Sequence, residues 1–396
     1  MRNESVAILD IRSDEVSFLL GSRGVNGTFV FCGMHTEKYE GYSVKKGFFD
    51  VNSFRHAVTS VITTVRQNYN GTIDEVYVGV PSAFISLKTK GHTISYPSKR
   101  KITPQDVELL YENGLDELLE QGECIRRSAM YFELGDNRRY FSVNDLYGLS
   151  TTMLKGALCY YFVTESFYGV INGLLKDLNM ASVRYIPSTL AQVMYLLTEK
   201  RREGYGFLLD IGFMTSSISV VYGNGIVHEE SFDCGVGEIL AELAQTLHVD
   251  YYTAEEILYS ANVSGGSVAE SICWTSERGD VSFPVNRINE IIKNGLDNLC
   301  ENVETFFNKY YRDKSLMSMM VNPISISGEG IGYIKGATEH ISKRISRLPE
   351  IVCPDLPFYD KPMFSSRISL LDMALSDKEK RTWKYKFFNN FGGKRK

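Results

Sequence analysis

Apolar and polar positions form the same pattern twice in this chain, two hundred residues apart. Val6-Ala7-Ile8-Leu9-Asp10-Ile11 is an apolar run broken by one carboxylate. A short polar loop, Arg12–Glu15, leads to a second run at Val16–Leu20, a turn at Gly21–Gly24 and a third run at Thr28–Cys32. Phe207–Ile211 is again apolar and passes through Leu209-Asp210-Ile211. After a tight loop, the run Ser217–Tyr222, the turn Gly223-Asn224-Gly225 and the run Ile226–Phe232 complete the second copy. Each set predicts a three-stranded meander. A supersecondary unit that recurs in both halves points to an internal duplication of α/β domains. Two unrelated meanders that share Leu-Asp-Ile by accident are the plainer alternative.

Between and after these units the periodicity changes. Ser53–Asn68 places Phe54, Val58, Val61, Ile62 and Val65 on one helical face. Glu75–Val80 reads as a buried strand. From Leu87 to Met153 the pattern predicts short strands around a helix opened by Thr103-Pro104-Gln105-Asp106. There Thr103 can cap, Pro104 suits the first turn and Asp106 complements the helix dipole. This stretch reads as a subdomain inserted into the first half, with the main sheet resuming at Gly156–Val163. A helix at Glu165–Leu178, a strand at Ala181–Tyr185 and a helix at Ser188–Leu197 lead into the second meander. Helices follow at Glu238–Leu247 and Thr253–Tyr259, then a polar hairpin-like excursion at Ser264–Asp280. Asn286–Tyr311 is a long amphipathic helix with Ile288, Ile291, Ile292, Leu296, Leu299 and Val303 on its apolar side. Ile324–Ser327 is a strand entering the turn Gly328-Glu329-Gly330-Ile331-Gly332, followed by Lys335-Gly336 and a further helix.

The 396 residues leave room for two or three domains. With 43 basic and 48 acidic residues, the net charge of −5 argues against a general nucleic-acid binder. Seven cysteines are scattered without a CxxC, which indicates neither a zinc site nor a disulfide framework and fits a reducing compartment. No apolar run approaches the length of a membrane span. The charge is not evenly spread, however. Residues 378–396 hold eight Lys or Arg and one acid. Trp383, Phe387 and Phe391 recur at helical spacing, Phe388 widens the same side, and Lys384 and Lys386 supply cations among them. That composition predicts an interfacial helix on an anionic membrane.

Nothing about burial calls for an acid at Asp10 or Asp210. Two strand-end loops that face each other can grip the phosphates of one nucleotide, while the two aspartates hold a divalent cation through water. The order of parts is phosphate loop, insert, second phosphate loop, then adenosine-side glycine turn. It resembles the actin/Hsp70/sugar-kinase superfamily and, within it, the FtsA family of bacterial cell-division proteins. Ile102-Thr103-Pro104-Gln105-Asp106-Val107 resembles a segment of the FtsA-specific subdomain. Ser188-Thr189-Leu190-Ala191 through Leu197-Thr198-Glu199-Lys200 resembles the run before the second phosphate loop. Asn286-Arg287-Ile288-Asn289-Glu290-Ile291 and Phe364-Ser365-Ser366-Arg367-Ile368-Ser369-Leu370-Leu371 resemble two later family segments, and the basic aromatic end resembles the family's membrane helix.

The resemblance implies an α/β fold, actin-like and duplicated, with an FtsA-type insert. Subdomain 1A would comprise 1–86, 154–203 and 346–377, and the insert 1C would be 87–153. Subdomain 2A would comprise 204–238 and 316–345, 2B would be 239–315, and the membrane helix 378–396. It implies ATP with Mg as cofactor, held by Asp10, Arg12, Ser13, Asp210, Gly212, Thr215, Gly235, Gly237, Glu255, Gly328, Gly330 and Gly332, with Asp10 and Asp210 on the metal. Implied partners are the acidic C-terminal peptide of the tubulin-like FtsZ at Arg287 and Glu290, further copies of the chain in filaments, other division proteins and an anionic membrane, with no nucleic acid. The implied location is the cytoplasmic face of the membrane at the division site.

The loops depart from the family pattern. Asp10-Ile11-Arg12-Ser13 has an arginine where a glycine lets backbone approach phosphate. Asp210-Ile211-Gly212-Phe213-Met214-Thr215-Ser216 replaces two glycines with bulky residues. Gly235-Val236-Gly237-Glu238-Ile239-Leu240 lacks a threonine, Ala254-Glu255-Glu256-Ile257-Leu258 lacks a lysine, and Glu329 stands at a glycine position. Four altered loops predict weakened nucleotide binding, and Ser188 stands where related filament proteins carry a water-orienting glutamate. The expectation is an adaptor that ties FtsZ filaments to the membrane, at most a weak ATPase. A small-molecule kinase or ATPase of the same superfamily and a pilus-assembly actin homologue like PilM are the alternatives.

Overall fold

A computed structural model describes residues 5–118, 122–264, 271–276, 279–311, 322–330, 332 and 334–391. The first half opens with β1 (Val6–Ile11), β2 (Glu15–Arg23) and β3 (Phe29–Lys38), then a small hairpin of β4 (Tyr42–Ser43) and β5 (Gly47–Phe48). After α1 (Val51–Asn68) and β6 (Glu75–Val80) comes the insert: β7 (Ile85–Lys101), α2 (Pro104–Asp116), β8 (Glu123–Leu134), β9 (Arg139–Tyr140) and β10 (Ser150–Val163). The half closes with α3 (Glu165–Asp177) and β11 (Ser182–Pro187), and α4 (Ser188–Leu196) and α5 (Glu199–Glu203) lead onward. The second half holds β12 (Gly206–Ile211), β13 (Ser216–Tyr222), β14 (Gly225–Phe232), α6 (Val236–Leu247), α7 (Tyr251–Ser260), the hairpin β15 (Ser271–Ser276) and β16 (Gly279–Pro284), α8 (Val285–Tyr310), β17 (Ile324–Ser327), α9 (Ala337–Ile345) and β18 (Pro349–Ile351). A single helix, α10, runs from Ser365 to Phe391.

The duplication is visible in the hydrogen-bond ladders. One sheet has the order β3-β2-β1-β6-β11 and the other β14-β13-β12-β17-β18. Each is an antiparallel meander continued by two parallel strands. The register repeats as well: Asp10 faces Ser17 and Ile11 faces Val16, while Asp210 faces Ser217 and Ile211 faces Ser216. The loop between the first two strands closes the same way in both halves. The Arg12 N–H donates to the Glu15 carbonyl at 2.8 Å, and the Gly212 N–H to the Thr215 carbonyl at 3.1 Å.

Strand parity decides where each side chain goes. In β1, Ala7, Leu9 and Ile11 pack under α1 and α3, while Val6 and Ile8 point to the opposite face. In β12, Phe207, Leu209 and Ile211 pack with α6, α7 and α8, and Leu208 turns to the side it shares with Ile8. That shared core lies between the two sheets and also takes Leu190 and Val193 of α4 and Leu370, Leu371 and Ala374 of α10. Even-numbered positions of both strands therefore face the space between the halves. Asp10 and Asp210 are even-numbered, so the alternation that buries their neighbours aims both carboxylates into it.

The insert differs from the short strands expected of it. β7 and β10 pair over their whole length, and Gly156–Val163 belongs to this sheet, of order β7-β10-β8-β9, instead of resuming the main one. Its apolar residues are consumed on two sides. Leu158, Tyr160 and Phe162 pack with Leu110 of α2, while Cys159 and Tyr161 join Ile226 of β14. The expected helix start at Thr103 is present, with Pro104 in the first turn and the Asp106 carboxylate accepting the Thr103 N–H at 2.8 Å. The basic end is likewise no separate element but the continuation of α10. Its last described side chain, Arg381, pairs with Glu75 and donates to Tyr77, and Arg126 of β8 pairs with Asp377 of the same helix. Trp383, Lys384, Lys386, Phe387, Phe388 and Phe391 follow on this helix, with their side chains outside the described residues.

The insert docks on the second half at the turn between β13 and β14. Gly223 there has φ +58, and a Cβ on it would lie 1.8 Å from the Met130 carbonyl oxygen. Asn224 donates to the Phe141 carbonyl at 2.6 Å and Arg139 to the Tyr222 hydroxyl at 2.7 Å. Gly223→Ala combines backbone strain with this clash and is expected to cost roughly 1–3 kcal/mol. A urea midpoint equal to that of the wild type would show that the turn and β8 are not in contact in solution.

Candidate functional site

The two strand-end loops meet between the halves, and side chains of the chain itself fill the meeting point. The Arg12 guanidinium crosses from the first loop to Asp210, its two terminal nitrogens at 3.2 and 3.3 Å from the two carboxylate oxygens. One of those nitrogens also lies 3.7 Å from Glu329. Gln192 of α4 donates to Asp210 at 2.8 Å. The Arg12 loop is held from behind by the Tyr39 hydroxyl, which donates to the Arg12 carbonyl at 2.6 Å. Burial works against the Arg12 charge. Asp210, then Glu329 and Asp10, outweigh it and hold Arg12 more firmly protonated than a free arginine.

Asp10 is engaged separately. It is 1% exposed, accepts the Ser366 hydroxyl at 2.6 Å, and has the Arg367 Nε 3.8 Å from its other oxygen. Ser366 and Arg367 lie in the first turn of α10, where the helix dipole favours a carboxylate. Arg367 also pairs with Glu15 at 2.6 Å. Burial raises the Asp10 pKa against the pull of Arg12, Arg367 and the Ser366 hydrogen bond.

The backbone groups that would meet phosphate are also taken. The Phe213 N–H donates to Glu329 at 3.1 Å and the Met214 N–H to the Ser13 hydroxyl at 2.9 Å. Gly212 lies against the Thr215 carbonyl, and the Thr215 side chain is bonded to Tyr42. Gly235 and Gly237 do permit a close backbone approach, but what approaches is the second loop. The Val236 N–H donates to the Gly212 carbonyl and the Gly237 N–H to that of Phe213. Gly328, at φ +99, lies against Ile211 and the Asp210 carboxylate. The Gly330 N–H donates to the Ile211 carbonyl at 3.0 Å, and Gly332 is exposed. Glu255 sits on α7 and accepts the Tyr259 hydroxyl at 3.2 Å. Arg287 and Glu290 stand exposed on the first turns of α8, the Arg287 guanidinium touching the Thr246 carbonyl at 3.4 Å.

The cavity left between the loops is about 40 Å³, lined by Arg12, Ser13, Tyr42, Thr189, Asp210 and Ser217 among others. Water fills roughly 10–15 Å³ of such a space, so it holds about three. Ligand pockets of drug-sized molecules run from roughly 300 to 1,000 Å³. As these loops stand, a nucleotide with its cation does not fit between them. Among the described residues, no cluster of three His, Cys, Asp or Glu side chains is placed to hold a metal.

No family model matches the chain. Solved structures do match it, over nearly its whole length and at low identity. The PilM-PilN type IV pilus biogenesis complex superposes with a TM-score of 0.59 at 10% identity, over 94% of this chain and 99% of that one. MreB5 of Spiroplasma citri bound to ADP gives 0.57 at 10% identity, over 96% and 98%. The ethanolamine utilization protein EutJ from Carboxydothermus hydrogenoformans gives 0.50 at 12% identity, over 94% and 91%. The fold is actin-like.

Within this actin-like frame, sequence reasoning overlooked three residues. Gln192 and Arg367 are buried polar side chains on faces otherwise apolar, which is the signal that could have found them. Glu229 pairs with Ser219 across the β13–β14 ladder and so shares a face with Leu208. Parity along β14 would have placed it there, beside Thr189. Burial pushes its pKa up to about 7 against the hydrogen bond from Thr189, with Asp210 adding to the rise.

Glu329 is a further strongly perturbed acid of the site. Burial lifts it to about 8 from 4.5, despite the pull of Arg12. The folded chain thus keeps a proton that the unfolded chain releases, and stability attributable to this group falls as pH rises from about 4.5 to 8. Glu329→Gln, which keeps an acceptor for the Phe213 N–H, is expected to flatten that decline in denaturant titrations. Equal slopes for variant and wild type would place Glu329 in contact with solvent.

Proposed function

We propose that this chain is an actin-like scaffold of the FtsA type, an adaptor that joins a protein filament to the cytoplasmic face of an anionic membrane at the division site. The observation that carries the reading is α10. It begins at Asp10 between the two halves, is bonded to the first half as far as Arg381, and continues through Phe391 into the basic aromatic sequence. A helix bonded to the body as far as Arg381, whose sequence beyond that point is aromatic and basic, suits the headgroup boundary. Each cation near an anionic surface contributes about 1 kcal/mol, so one short helix attaches weakly and gains firmness from multivalent assembly.

Self-association belongs to the same proposal, since weak tails need many copies. Arg287 is a candidate for an acidic FtsZ tail: it is exposed, and its guanidinium donates to the Thr246 backbone carbonyl at 3.4 Å. The hydroxyl-lined, closed cleft favours a structural role over phosphoryl transfer to a small molecule. A pilus-assembly role like that of PilM is the second reading, favoured by the likeness to the PilM-PilN complex.

Two measurements separate these readings. Removing 382–396 leaves Arg381 and its pairing to Glu75 in place, and is expected to abolish co-sedimentation with anionic liposomes while leaving neutral ones unaffected. Sedimentation unchanged by the truncation would refute the membrane role. Arg287→Glu is expected to weaken binding of an acidic FtsZ tail peptide about tenfold or more. An affinity equal to the wild type would remove Arg287 from that role, and no binding by either protein would favour the PilM-like reading.

A further inference from the structure

We propose that Arg12 and Arg367 are built-in counter-charges standing where a nucleotide-bound divalent cation would act, so that the cleft is closed by the chain itself and Mg·ATP enters only by displacing Arg12. The inference rests on the loop geometry and is independent of any membrane or filament role.

Four observations carry it. First, both strand-end aspartates have an arginine nearby: Asp210 holds Arg12 through two nitrogens, while Asp10 lies 3.8 Å from the Nε of Arg367, whose close partner is Glu15 at 2.6 Å. Two guanidinium groups supply the two positive charges a divalent ion would bring. They do so without its octahedral shell, which the cavity of about 40 Å³ could not contain. A guanidinium also matches a carboxylate in a planar, two-pronged pair that a spherical ion cannot copy.

Second, the donors that phosphate would need are committed. Glu329 accepts the Phe213 N–H at 3.1 Å and Ser13 the Met214 N–H at 2.9 Å. An acid and a hydroxyl thus accept the loop amides that a phosphate would otherwise need. Glu329 further lies 3.7 Å from Arg12, so the acceptor of the loop amide and the cation mimic contact one another.

Third, these contacts join the two halves. Arg12 and Ser13 come from the first half, Asp210, Met214 and Glu329 from the second. Ser82 and Ser231 add a hydroxyl pair at 2.5 Å, and the Val44 N–H donates to Asp233 at 2.6 Å, both across the same gap. A nucleotide bridges the two halves of such a cleft by contacting both loops; here side chains make the bridge.

Fourth, two of the departures in the loops are complementary. Arg12 and Glu329 both stand at glycine positions of the resembled pattern, and they meet each other. Independent loss of function would leave vacated space or unrelated residues, whereas here two side chains that face each other fill the site.

The test uses the full chain. Arg12→Gly removes the cation and Arg12→Gly with Glu329→Gly removes the pair. Thermal midpoints are read with magnesium chloride against sodium chloride of matched ionic strength, and Mg·ATP affinity by calorimetry. Magnesium alone is expected to leave the wild type unmoved and to raise the midpoint of Arg12→Gly, because the uncovered Asp210 then has a cation to bind. Mg·ATP is expected to bind the double variant at least about tenfold more tightly than the wild type. Equal affinities, or Arg12 variants indifferent to magnesium, would overturn the proposal.

Removing one partner of a buried ion pair is costly, and both variants could fail to fold. Hydrogen exchange of the wild type then decides. The amides of Phe213 and Met214 are expected to be protected without nucleotide and unchanged by Mg·ATP at millimolar concentration. Fast exchange that becomes slow on adding Mg·ATP would refute the built-in closure.

Discussion

A guanidinium buried between carboxylates is stable only when its charge and its hydrogen-bond donors are met on the spot. Arg12 is 10% exposed and meets Asp210 through two nitrogens. Much else in the structure follows from keeping that pair together. Asp210 must sit at the end of β12 on the face turned to the other half, and Gln192 must reach it from α4. Gly328 must be glycine, because Asp210 occupies the space of its Cβ. Tyr39 must hold the carbonyl of Arg12, so the first loop cannot swing away.

The same constraint explains why the glycines of the site persist although no space remains for a nucleotide. Gly212, Gly235 and Gly328 each allow backbone to come close, and in each case the neighbour is another loop of this chain. A glycine read from sequence marks a close approach without naming what approaches. The structural consequence is a fold whose two halves are joined by their own side chains, with one helix, α10, running from that joint to Phe391. The interdomain contacts and the emergence of the tail thus share an element, α10.

Charge is arranged in layers around this joint. Asp10, Glu15, Asp210 and Glu329 surround two arginines, and burial, with neighbouring acids adding to it, raises the carboxyl pKa values of Asp10 and Glu329. The hydroxyls of Ser13, Ser366 and Tyr39 supply dipoles without adding charge. Burying so many polar groups is tolerable because most are paired, and the small cavity beside them is polar enough to hold water.

The sequence by itself determined the duplication, the actin-like order of parts, the strand-end aspartates and most helices, because alternation and helical periodicity are local and each copy of the meander carries the same local signal. It also marked Arg12 and Glu329 as departures. Only the tertiary structure decided that these two meet, that Asp10 is taken by the first turn of α10, and that Gln192 and Glu229 belong to the same cleft. Those facts join residues hundreds of positions apart, and no local pattern carries them. The extent of β10 was misread for a related reason: an apolar run looks the same whether it is covered by helices of a main sheet or by α2 on one side and β14 on the other. What covers a strand is a property of the folded chain, and so is whether a phosphate-binding loop faces a nucleotide or an arginine.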